Sequence, residues 1–152
     1  MQKMGDVAEF QVKKQNPSDR VISFAGNPNV GKSSLFNVLT GMRQHTGNWP
    51  GKTVEISQGN YLYEGKNYIV IDLSGTYSLT AHSTEEKIAR DFIQSESSDT
   101  TVVVRDATAW ERNLNLVLQI RRLTDLVVVC VNLLDEAKKK KSPLTWTIYL
   151  KN

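Results

Sequence analysis

Short runs of β-branched and apolar residues alternate along this chain with segments whose apolar positions recur at helical spacing. Residues 21–25, 101–104 and 126–131 form three apolar runs, and each run predicts a buried strand. The runs do not alternate between apolar and polar positions, which favours a parallel sheet covered on both faces. Strands separated by helices in this order predict an α/β fold, with a mostly parallel sheet and helices on both sides.

Three segments predict the helices. In the first, Leu35, Phe36 and Leu39 follow Lys32 at helical spacing, and Gly41 is expected to end the helix. The sequences S-T-E-E at residues 83–86 and T-A-W-E at residues 108–111 each predict a capping box at a helix start. The helices that follow carry apolar stripes, made of Ile88, Ala89, Phe92 and Ile93 in one case and Leu114, Val117, Ile120 and Leu123 in the other.

A β-hairpin is predicted between the first and second helices. Residues 53–59 and 67–73 have strand composition, and Glu64-Gly65-Lys66 between them indicates a turn. The preceding residues 42–52 are polar and contain two glycines and a proline, without a regular period. We therefore expect a long loop there, and loops of this length in compact domains usually have a function.

The composition indicates one soluble globular domain. The chain has 152 residues, of which 39% are hydrophobic and 23% charged, and its net charge is +3. Much of the positive charge lies in residues 138–141, which is too local for a nucleic-acid-binding face. The single cysteine, Cys130, cannot form an internal disulfide, which fits a reducing compartment such as the cytoplasm. We see no signal peptide and no apolar stretch of the ~20 residues that a membrane helix needs.

The strongest chemical signal is the sequence G-N-P-N-V-G-K-S at residues 26–33, between the first predicted strand and the first helix. It matches the phosphate-binding loop G-x-x-x-x-G-K-S, in which glycines let main-chain N–H groups surround a phosphate. Lys32 is expected to contact the β- and γ-phosphates, and Ser33 to offer its hydroxyl to Mg²⁺. The candidate residues of this phosphate site are Gly26, Asn27, Pro28, Asn29, Val30, Gly31, Lys32, Ser33 and Ser34.

Further polar residues follow predicted strands and are expected at the same edge of the sheet. Asp72 is placed to hold Mg²⁺, and Gly75 can bring its N–H to the γ-phosphate. Thr53, at the end of the long loop, can offer its hydroxyl to Mg²⁺ and its N–H to the γ-phosphate. Each has a plain structural alternative, namely a strand-terminal turn for Asp72 and Gly75 and a strand start for Thr53.

The segment Asn132-Leu133-Leu134-Asp135 predicts guanine recognition. A carboxylate at Asp135 can accept both the N1–H and the 2-amino group of guanine, whereas adenine has no donor at either place. Asn132 can face the base edge or bond back to the phosphate-binding loop. The candidate base-site residues are therefore Asn132, Leu133 and Asp135, and the structural alternative is a polar strand end that caps the next helix.

These motifs resemble the G domain of the bacterial ferrous iron transport protein B family. The resemblance covers residues 21–141 and rests on residues 26–33, 72–79 and 132–137 and on G-N-W-P-G-K-T-V-E at residues 47–55; residues 106–108 and 111–114 extend it. It implies a P-loop GTPase of Ras-like fold that binds GTP or GDP with Mg²⁺ and is coupled to Fe(II) uptake. Its location would be the cytoplasmic face of the inner membrane. The implied partners are the helical regulatory and transmembrane parts of the same transporter, and a homo-oligomer is also conceivable.

The resemblance also implies catalytic roles for Asn29, Lys32, Thr53 and Gly75. The residue matching Asn29 helps coordinate K⁺ beside the phosphates in the family; the alternative is a loop residue that holds no ion. Thr76 follows Gly75, so no glutamine is placed there to orient water. This implies slow intrinsic hydrolysis stimulated by K⁺. With single histidines at His45 and His82 and one cysteine, no iron or zinc site is expected.

Three parts are predicted along the chain: a flexible leader over residues 1–20, an incomplete G domain over 21–141 and an atypical tail over 142–152. The tail does not resemble the family's last base-binding loop, so we expect the C-terminal elements of the fold to be missing. Ser74 stands where the family commonly has proline. Three alternatives remain: a nucleotide-dependent switch with little turnover, another small bacterial P-loop GTPase, or a chain that does not fold fully.

Overall fold

The computed structural model describes residues 11–41, 44–48, 54–80, 82–95, 97–111 and 114–140. In chain order the elements are β1 (Arg20–Gly26), α1 (Lys32–Thr40), β2 (Gln44–Asn48), β3 (Glu55–Tyr63), β4 (Lys66–Asp72), α2 (Thr84–Gln94), β5 (Thr100–Asp106), α3 (Leu114–Leu123), β6 (Val127–Asn132) and α4 (Leu134–Lys139). A 3-10 turn, Ala107–Ala109, follows β5. The predicted alternation of strands and helices is confirmed.

One mixed sheet of six strands runs through the described chain in the order β2-β3-β4-β1-β5-β6. The central strand β1 is parallel to β4 and β5, and β5 is parallel to β6. The predicted hairpin is present as the antiparallel pair β3 and β4, and β2 is antiparallel to β3. Because β4, β1, β5 and β6 point the same way, their carboxyl ends lie at one edge of the sheet, where α/β proteins bind ligands.

Helices cover both faces of this sheet, as predicted. On one face, the buried side chains of α2 and α3 pack against alternate strand residues; this cluster includes Ile88, Phe92, Leu116, Ile120, Val21, Ile69 and Val103. On the other face, Phe36 of α1 packs against the strand residues between them, which are Phe24, Val70 and Val104. The alternation follows from the two-residue period of a strand, which sends neighbouring side chains to opposite faces. Among the described helices, none has the length and apolar character that crossing a bilayer requires.

The segment predicted as a long loop contains a strand. Residues 44–48 form β2, which pairs with residues 55–59 of β3. The prediction was wrong here because Q-H-T-G-N has no apolar alternation, and the strand is defined by its main-chain pairing with β3. Strand β2 is thus the edge strand of the sheet on the side opposite β6.

The two predicted capping boxes have different outcomes. Ser83 accepts a hydrogen bond from the Glu86 N–H at 3.1 Å, so the predicted N-cap is confirmed, while the Glu86 carboxylate accepts the N–H of His82, one residue before the cap, at 3.0 Å. The second is wrong. Thr108 donates both its N–H and its hydroxyl to the Asp106 carboxylate at 2.7 Å, and α3 begins only at Leu114. Asp106 is the N-cap of the 3-10 turn, so its carboxylate binds Thr108, and Thr108 does not act as a helix cap itself.

Part of the predicted leader lies against the sheet. The buried amide of Gln58 on β3 exchanges two hydrogen bonds with the main chain of Lys13, at 2.9 and 3.3 Å, and Val12 packs against the core. Asp19 accepts the N–H groups of Asn16 and Gln15, both at 3.0 Å. The Asn16 N–H in particular holds the pKa of the Asp19 carboxyl below its ordinary value. The side chains of Gln58 and Asp19 thus provide partners for the main chain of Lys13, Gln15 and Asn16.

A second carboxylate fixes the amino end of β1. Asp99 accepts the Val21 N–H at 2.7 Å and bonds Arg20 at 3.1 Å. Burial acts to raise the pKa of Asp99, but the Val21 N–H and the Arg20 guanidinium outweigh it and hold the pKa below its ordinary value. The adjacent Ser98 hydroxyl accepts the Ser23 N–H at 3.1 Å. These bonds satisfy main-chain donors at the beginning of the central strand.

Arg105 is a basic side chain buried inside the fold, 1% exposed near the end of β5. Its guanidinium lies 4.8 Å from the ring centre of Trp110 and donates through Nη2 to the main-chain oxygen of the same residue. Its Nε and Nη1 have no hydrogen-bond partner among the described residues. Burial lowers the pKa of Arg105, which reflects the cost of holding a cation away from water.

Apolar side chains are exposed on β6, the outermost strand of the described sheet on its side. Val128 is 52% exposed and Val129 39% exposed, on opposite faces of the strand. Cys130 on the same strand is half-buried, and burial raises the pKa of its thiol. An apolar strand edge of this kind favours pairing with another strand.

Candidate nucleotide-binding site

The loop after β1 turns sharply into α1. Asn29 and Gly31 both have left-handed main-chain conformations, with φ of 65° and 81°. A side chain at position 31 would be strained by this φ and would also collide with Asn132, because a Cβ there would lie 2.2 Å from Asn132 Nδ2. Glycine is therefore the residue that this turn accepts.

The first turn of α1 is open to an anion. The helix begins at Lys32, its preceding residue Gly31 provides no side-chain cap, and its first turn contains no acidic residue. The N–H groups of a helix start have no partner within the helix, and the helix dipole is positive there. This end of α1 therefore fits a phosphate group.

Lys32 and Asp72 are brought together by the parallel pairing of β1 and β4. The Lys32 ammonium bonds the Asp72 carboxylate and the main-chain oxygen of Leu73, and both side chains are largely buried. Asp72 lies opposite Phe24 in the strand register, just before the loop that follows β1. The two residues predicted for phosphate and magnesium thus share one position at the edge of the sheet.

The segment after β4 is attached to the phosphate-binding loop. The Leu73 N–H donates to the Phe24 oxygen at 3.1 Å, and the Thr76 N–H donates to the Gly26 oxygen at 3.0 Å. Gly75 lies against Pro28, where an added Cβ would be 3.3 Å from the Pro28 nitrogen and Cα. The Ser74 hydroxyl donates to the Glu55 oxygen at 3.4 Å.

The segment after β6 reaches the same loop from the other side. The Asn132 side-chain N–H donates to the Val30 oxygen at 3.0 Å, so of the two predicted orientations the one toward the phosphate-binding loop is observed. Leu133 has a left-handed conformation with φ of 60°, and α4 follows directly. Asp135 lies in the first turn of α4 with an exposed side chain. Its carboxylate is accessible to a ligand at this edge.

The structure thus brings three of the predicted clusters to one edge of the sheet. Lys32, Asp72 and Leu73 are in direct contact, Gly75 lies beside Pro28, and Asn132 contacts Val30. Asn29, Ser33 and Ser34 are exposed on the same loop and the first turn of α1. Thr53, with the rest of residues 49–53, lies outside the described residues. Within the described ranges there is no group of three or more His, Cys, Asp or Glu side chains placed to hold a metal ion.

Sequence reasoning missed one side chain near this site, Gln119 on α3. Its Oε1 accepts hydrogen bonds from the Leu79 N–H and from the Ser78 hydroxyl, the latter at 3.2 Å. These residues belong to the segment that continues from Gly75 toward α2. The contact joins residues 40 positions apart, so no local sequence signal could have indicated it.

The loop with the sequence G-N-P-N-V-G-K-S, the carboxylate of Asp72 and the segment from Asn132 to Asp135 together define the fold of a P-loop GTPase. Comparison with known proteins gives the family. The sequence pattern described as ferrous iron transport protein B matches residues 20–147. The chain belongs to this family and comprises its G domain.

Individual relatives agree with this assignment. The Fe(2+) transporter FeoB of Methanocaldococcus jannaschii is 54% identical over 102 residues, which are 67% of this chain and 15% of that protein. The Fe(2+) transporter FeoB of Salmonella typhimurium is 44% identical over 124 residues, or 79% of this chain and 16% of that protein. The chain therefore spans only about one sixth of the length of these curated relatives.

Solved structures show the same fold. The G domain of the T. maritima FeoB iron transporter has a TM-score of 0.77 and 45% identity, and the match covers 80% of this chain and 76% of that chain. The cytosolic domain of the same transporter in a GMPPNP form has a TM-score of 0.77 and 44% identity, over 80% of this chain and 48% of that one. A GDP form of that domain has a TM-score of 0.75 and 45% identity, over 79% and 47%.

Proposed function

We propose that this G domain binds GTP and GDP with Mg²⁺ and hydrolyses GTP. The observation that carries the proposal is the hydrogen bond from Asn132 to the Val30 oxygen, which joins the predicted base-recognition segment to the phosphate-binding loop. A nucleotide lying along this edge can then reach both segments at once. The GDP and GMPPNP forms of a related cytosolic domain support the same ligand class.

The phosphates would lie over the first turn of α1. Its N–H groups are uncapped, and the loop before it contributes further N–H groups through the left-handed residues Asn29 and Gly31. Lys32 provides a cation at the same place, held by Asp72 and by the Leu73 oxygen. Phosphate oxygens would replace the Leu73 oxygen as a partner of the Lys32 ammonium.

The oxygen atoms near Lys32 fit Mg²⁺. The exposed Ser33 hydroxyl and the Asp72 carboxylate are the hard oxygen ligands that Mg²⁺ prefers, usually together with phosphate oxygens and water. Thr53 is proposed as a further hydroxyl ligand. When bound, Mg²⁺ neutralises charge on the phosphates. K⁺ is proposed beside the phosphates at Asn29, whose side chain is exposed on the loop.

Guanine would be recognised by Asp135. Two hydrogen bonds to its carboxylate, worth about 1.5–3 kcal/mol each, would favour guanine over adenine by a factor on the order of 10²–10⁴. Leu133 lies between Asn132 and α4 and is proposed to line this end of the site. Asp135 is in the first turn of α4, so the helix fixes the position from which its carboxylate faces the ligand.

Hydrolysis would depend on main-chain groups and on K⁺. Gly75 and Thr53 are proposed to donate N–H groups to the γ-phosphate. Thr76 is 5% exposed and its N–H is bonded to Gly26, so this residue does not present a side chain that could orient water. We therefore expect slow intrinsic turnover that K⁺ accelerates by offsetting charge on the phosphates.

The wider context follows from the family. We propose that the domain lies at the cytoplasmic face of the inner membrane and couples GTP turnover to Fe(II) uptake. Its partners would be the helical regulatory and transmembrane parts of a transporter. The exposed apolar residues of β6 support contact with a further element or with a second copy.

Binding of a fluorescent GDP, competed by GTP, ATP and XTP, tests the base assignment. We expect GTP to displace the probe at concentrations at least ~100-fold below ATP. In Asp135→Asn the amide would donate where the carboxylate accepted, so the preference should move from GTP to XTP. Glu136→Gln, the neighbouring exposed residue on α4, is the matched control and should leave the preference unchanged. Equal displacement by GTP and ATP would contradict guanine recognition.

A nucleotide-dependent switch with little turnover is the second candidate, favoured by the buried Thr76 next to Gly75. Single-turnover hydrolysis in K⁺ and in Na⁺ separates the two. We expect faster hydrolysis in K⁺ and its loss in Lys32→Met, which keeps the length of the side chain without its charge. Tight GTP binding with no hydrolysis in either salt would favour the switch.

A further inference from the structure

The segment from Leu73 to Thr80 is held at two places, one on each side of an exposed residue. On the near side, Leu73 and Thr76 donate their N–H groups to the Phe24 and Gly26 oxygens. On the far side, the Leu79 side chain is buried in the core. Tyr77 between them is 68% exposed. If Gly75 moves toward a phosphate, the displacement of the main chain can end at Tyr77 or extend to Leu79. Which of these happens depends on how firmly Leu79 and its neighbours are held.

Gln119 holds the far side. Its Oε1 accepts the Leu79 N–H and the Ser78 hydroxyl, and the Ser78 oxygen in turn accepts the Thr80 N–H at 3.2 Å. A main-chain N–H can only donate, so the oxygen of the Gln119 amide must be the atom that faces Leu79. One side-chain oxygen from α3 thus orders three consecutive residues, directly or through Ser78.

We propose that Gln119 is a positioning residue that keeps the segment after Gly75 in the conformation in which Thr76 is bonded to Gly26. This inference rests on the proposed function, because it assigns Gly75 to the γ-phosphate. When Gly75 moves toward the γ-phosphate of GTP, the hydrogen bonds to Gln119 oppose the displacement of the segment. GDP has no γ-phosphate and does not require this displacement. Gln119 therefore sets how strongly the domain distinguishes GTP from GDP, and it connects that response to α3.

The test compares two substitutions at this position with a control elsewhere. Gln119→Met keeps the length of the side chain but has no acceptor for the Leu79 N–H. Gln119→Glu keeps an oxygen acceptor at this place, a carboxylate oxygen instead of the amide oxygen. Gln94→Met, at the exposed end of α2, is the matched control. The affinities for GDP and for GMPPNP are measured by competition with fluorescent GDP, and hydrogen exchange of the Leu79 amide is measured without nucleotide.

In Gln119→Met we expect the GMPPNP affinity to rise about 5- to 10-fold relative to GDP, the equivalent of losing one or two ordinary hydrogen bonds. The Leu79 amide should exchange faster by a similar factor, since its acceptor is gone. Gln119→Glu should restore both quantities to values near those of the unsubstituted chain. Gln94→Met should change neither.

Two outcomes would overturn the inference while the proposed function stands. If Gln119→Met weakens GDP and GMPPNP equally, the residue supports the fold and does not position the segment. If the Leu79 amide exchanges at an unchanged rate, the hydrogen bond does not hold the segment. If the unsubstituted chain binds neither nucleotide, the proposed function itself is wrong, and this inference is overturned with it.

Discussion

Asn132 donates its side-chain N–H to the main-chain oxygen of Val30 at 3.0 Å, although 102 positions separate the two residues. The same amide nitrogen lies 2.2 Å from the place that a Cβ at position 31 would take. The end of β6 is therefore fitted against the phosphate-binding loop with no room for a larger residue. This contact couples the two halves of the proposed nucleotide site.

We predict that Asn132→Ala weakens GDP and GTP equally, by about 5- to 10-fold, because the lost hydrogen bond is worth roughly 1 kcal/mol and shapes a loop used by both nucleotides. Stopped-flow binding of fluorescent GDP measures the GDP affinity, and competition by GTP measures the GTP affinity. Asn60→Ala, on the exposed side of β3, is the control. A change in base preference without a change in phosphate affinity would show that Asn132 acts on the base instead.

Gly75→Ala is expected to destabilise the nucleotide-free domain. The added methyl group would lie 3.3 Å from two main-chain atoms of Pro28, which cannot move as a flexible side chain could. Such crowding costs about 1–3 kcal/mol in the conformation described, so the free energy of unfolding of the nucleotide-free chain, measured in urea, should fall by about that amount. Gly47→Ala is the matched control, since a Cβ there meets nothing within 4 Å. Equal effects of the two substitutions would contradict the prediction.

Asp99 should make stability depend on pH in the acid range. Its pKa in the folded chain lies below the ordinary value of 3.8, so the ionised carboxylate stabilises the fold above that pH. This contribution is lost as the pH falls through the folded-state pKa. Asp99→Asn should lower the free energy of unfolding by about 1 kcal/mol at neutral pH and have a smaller effect at the acid end.

Urea denaturation of Asp99→Asn between pH 3 and pH 7 provides the measurement. Asp125→Asn is the control, because Asp125 is exposed and bonds only the exposed Arg121 of the described residues. A pH profile of Asp99→Asn that runs parallel to that of the unsubstituted chain would exclude this role for Asp99.

Arg105→Met is predicted to stabilise the domain or leave it unchanged. The guanidinium is buried with two nitrogens lacking partners in the described chain, and an apolar side chain of similar length avoids that cost. The loss of the contact with Trp110, worth about 1 kcal/mol, offsets part of the gain. Thermal unfolding, compared with Arg122→Met at an exposed position of α3, measures the difference. Destabilisation by several kcal/mol would mean that Arg105 pairs with an anion.

Local patterns in the sequence were sufficient for the elements that bury an apolar face. The strands β1, β5 and β6, the helix α1 with Gly41 at its end, and the turn at Glu64-Gly65 follow from β-branched runs, helical spacing and glycine positions. The edge of the sheet at which Lys32, Asp72 and Asn132 meet could also be predicted, because parallel strands align their carboxyl ends.

The features that were missed depend on contacts between distant residues. Strand β2 is defined by its pairing with β3. The predicted start of α3 was wrong because Thr108 is bonded to Asp106. The main chain near Lys13 and Asn16 is held by Gln58 and Asp19. The position of Gln119 opposite Leu79 belongs to the same group. None of these has a periodic or compositional signature, since each arises only once the sheet has formed.

The strand register described for β1 and its neighbours limits how this domain can change during evolution. Phe24 is opposite Asp72, Gly26 is opposite Val104, and Asp106 is opposite Asn132. Inserting a single residue into β4 would turn Asp72 to the other face of the sheet and place an apolar side chain beside Lys32. Insertions and deletions should therefore be tolerated in the hairpin turn and in the segment between α3 and β6, at the opposite edge of the sheet. The strands themselves must keep their lengths to the residue.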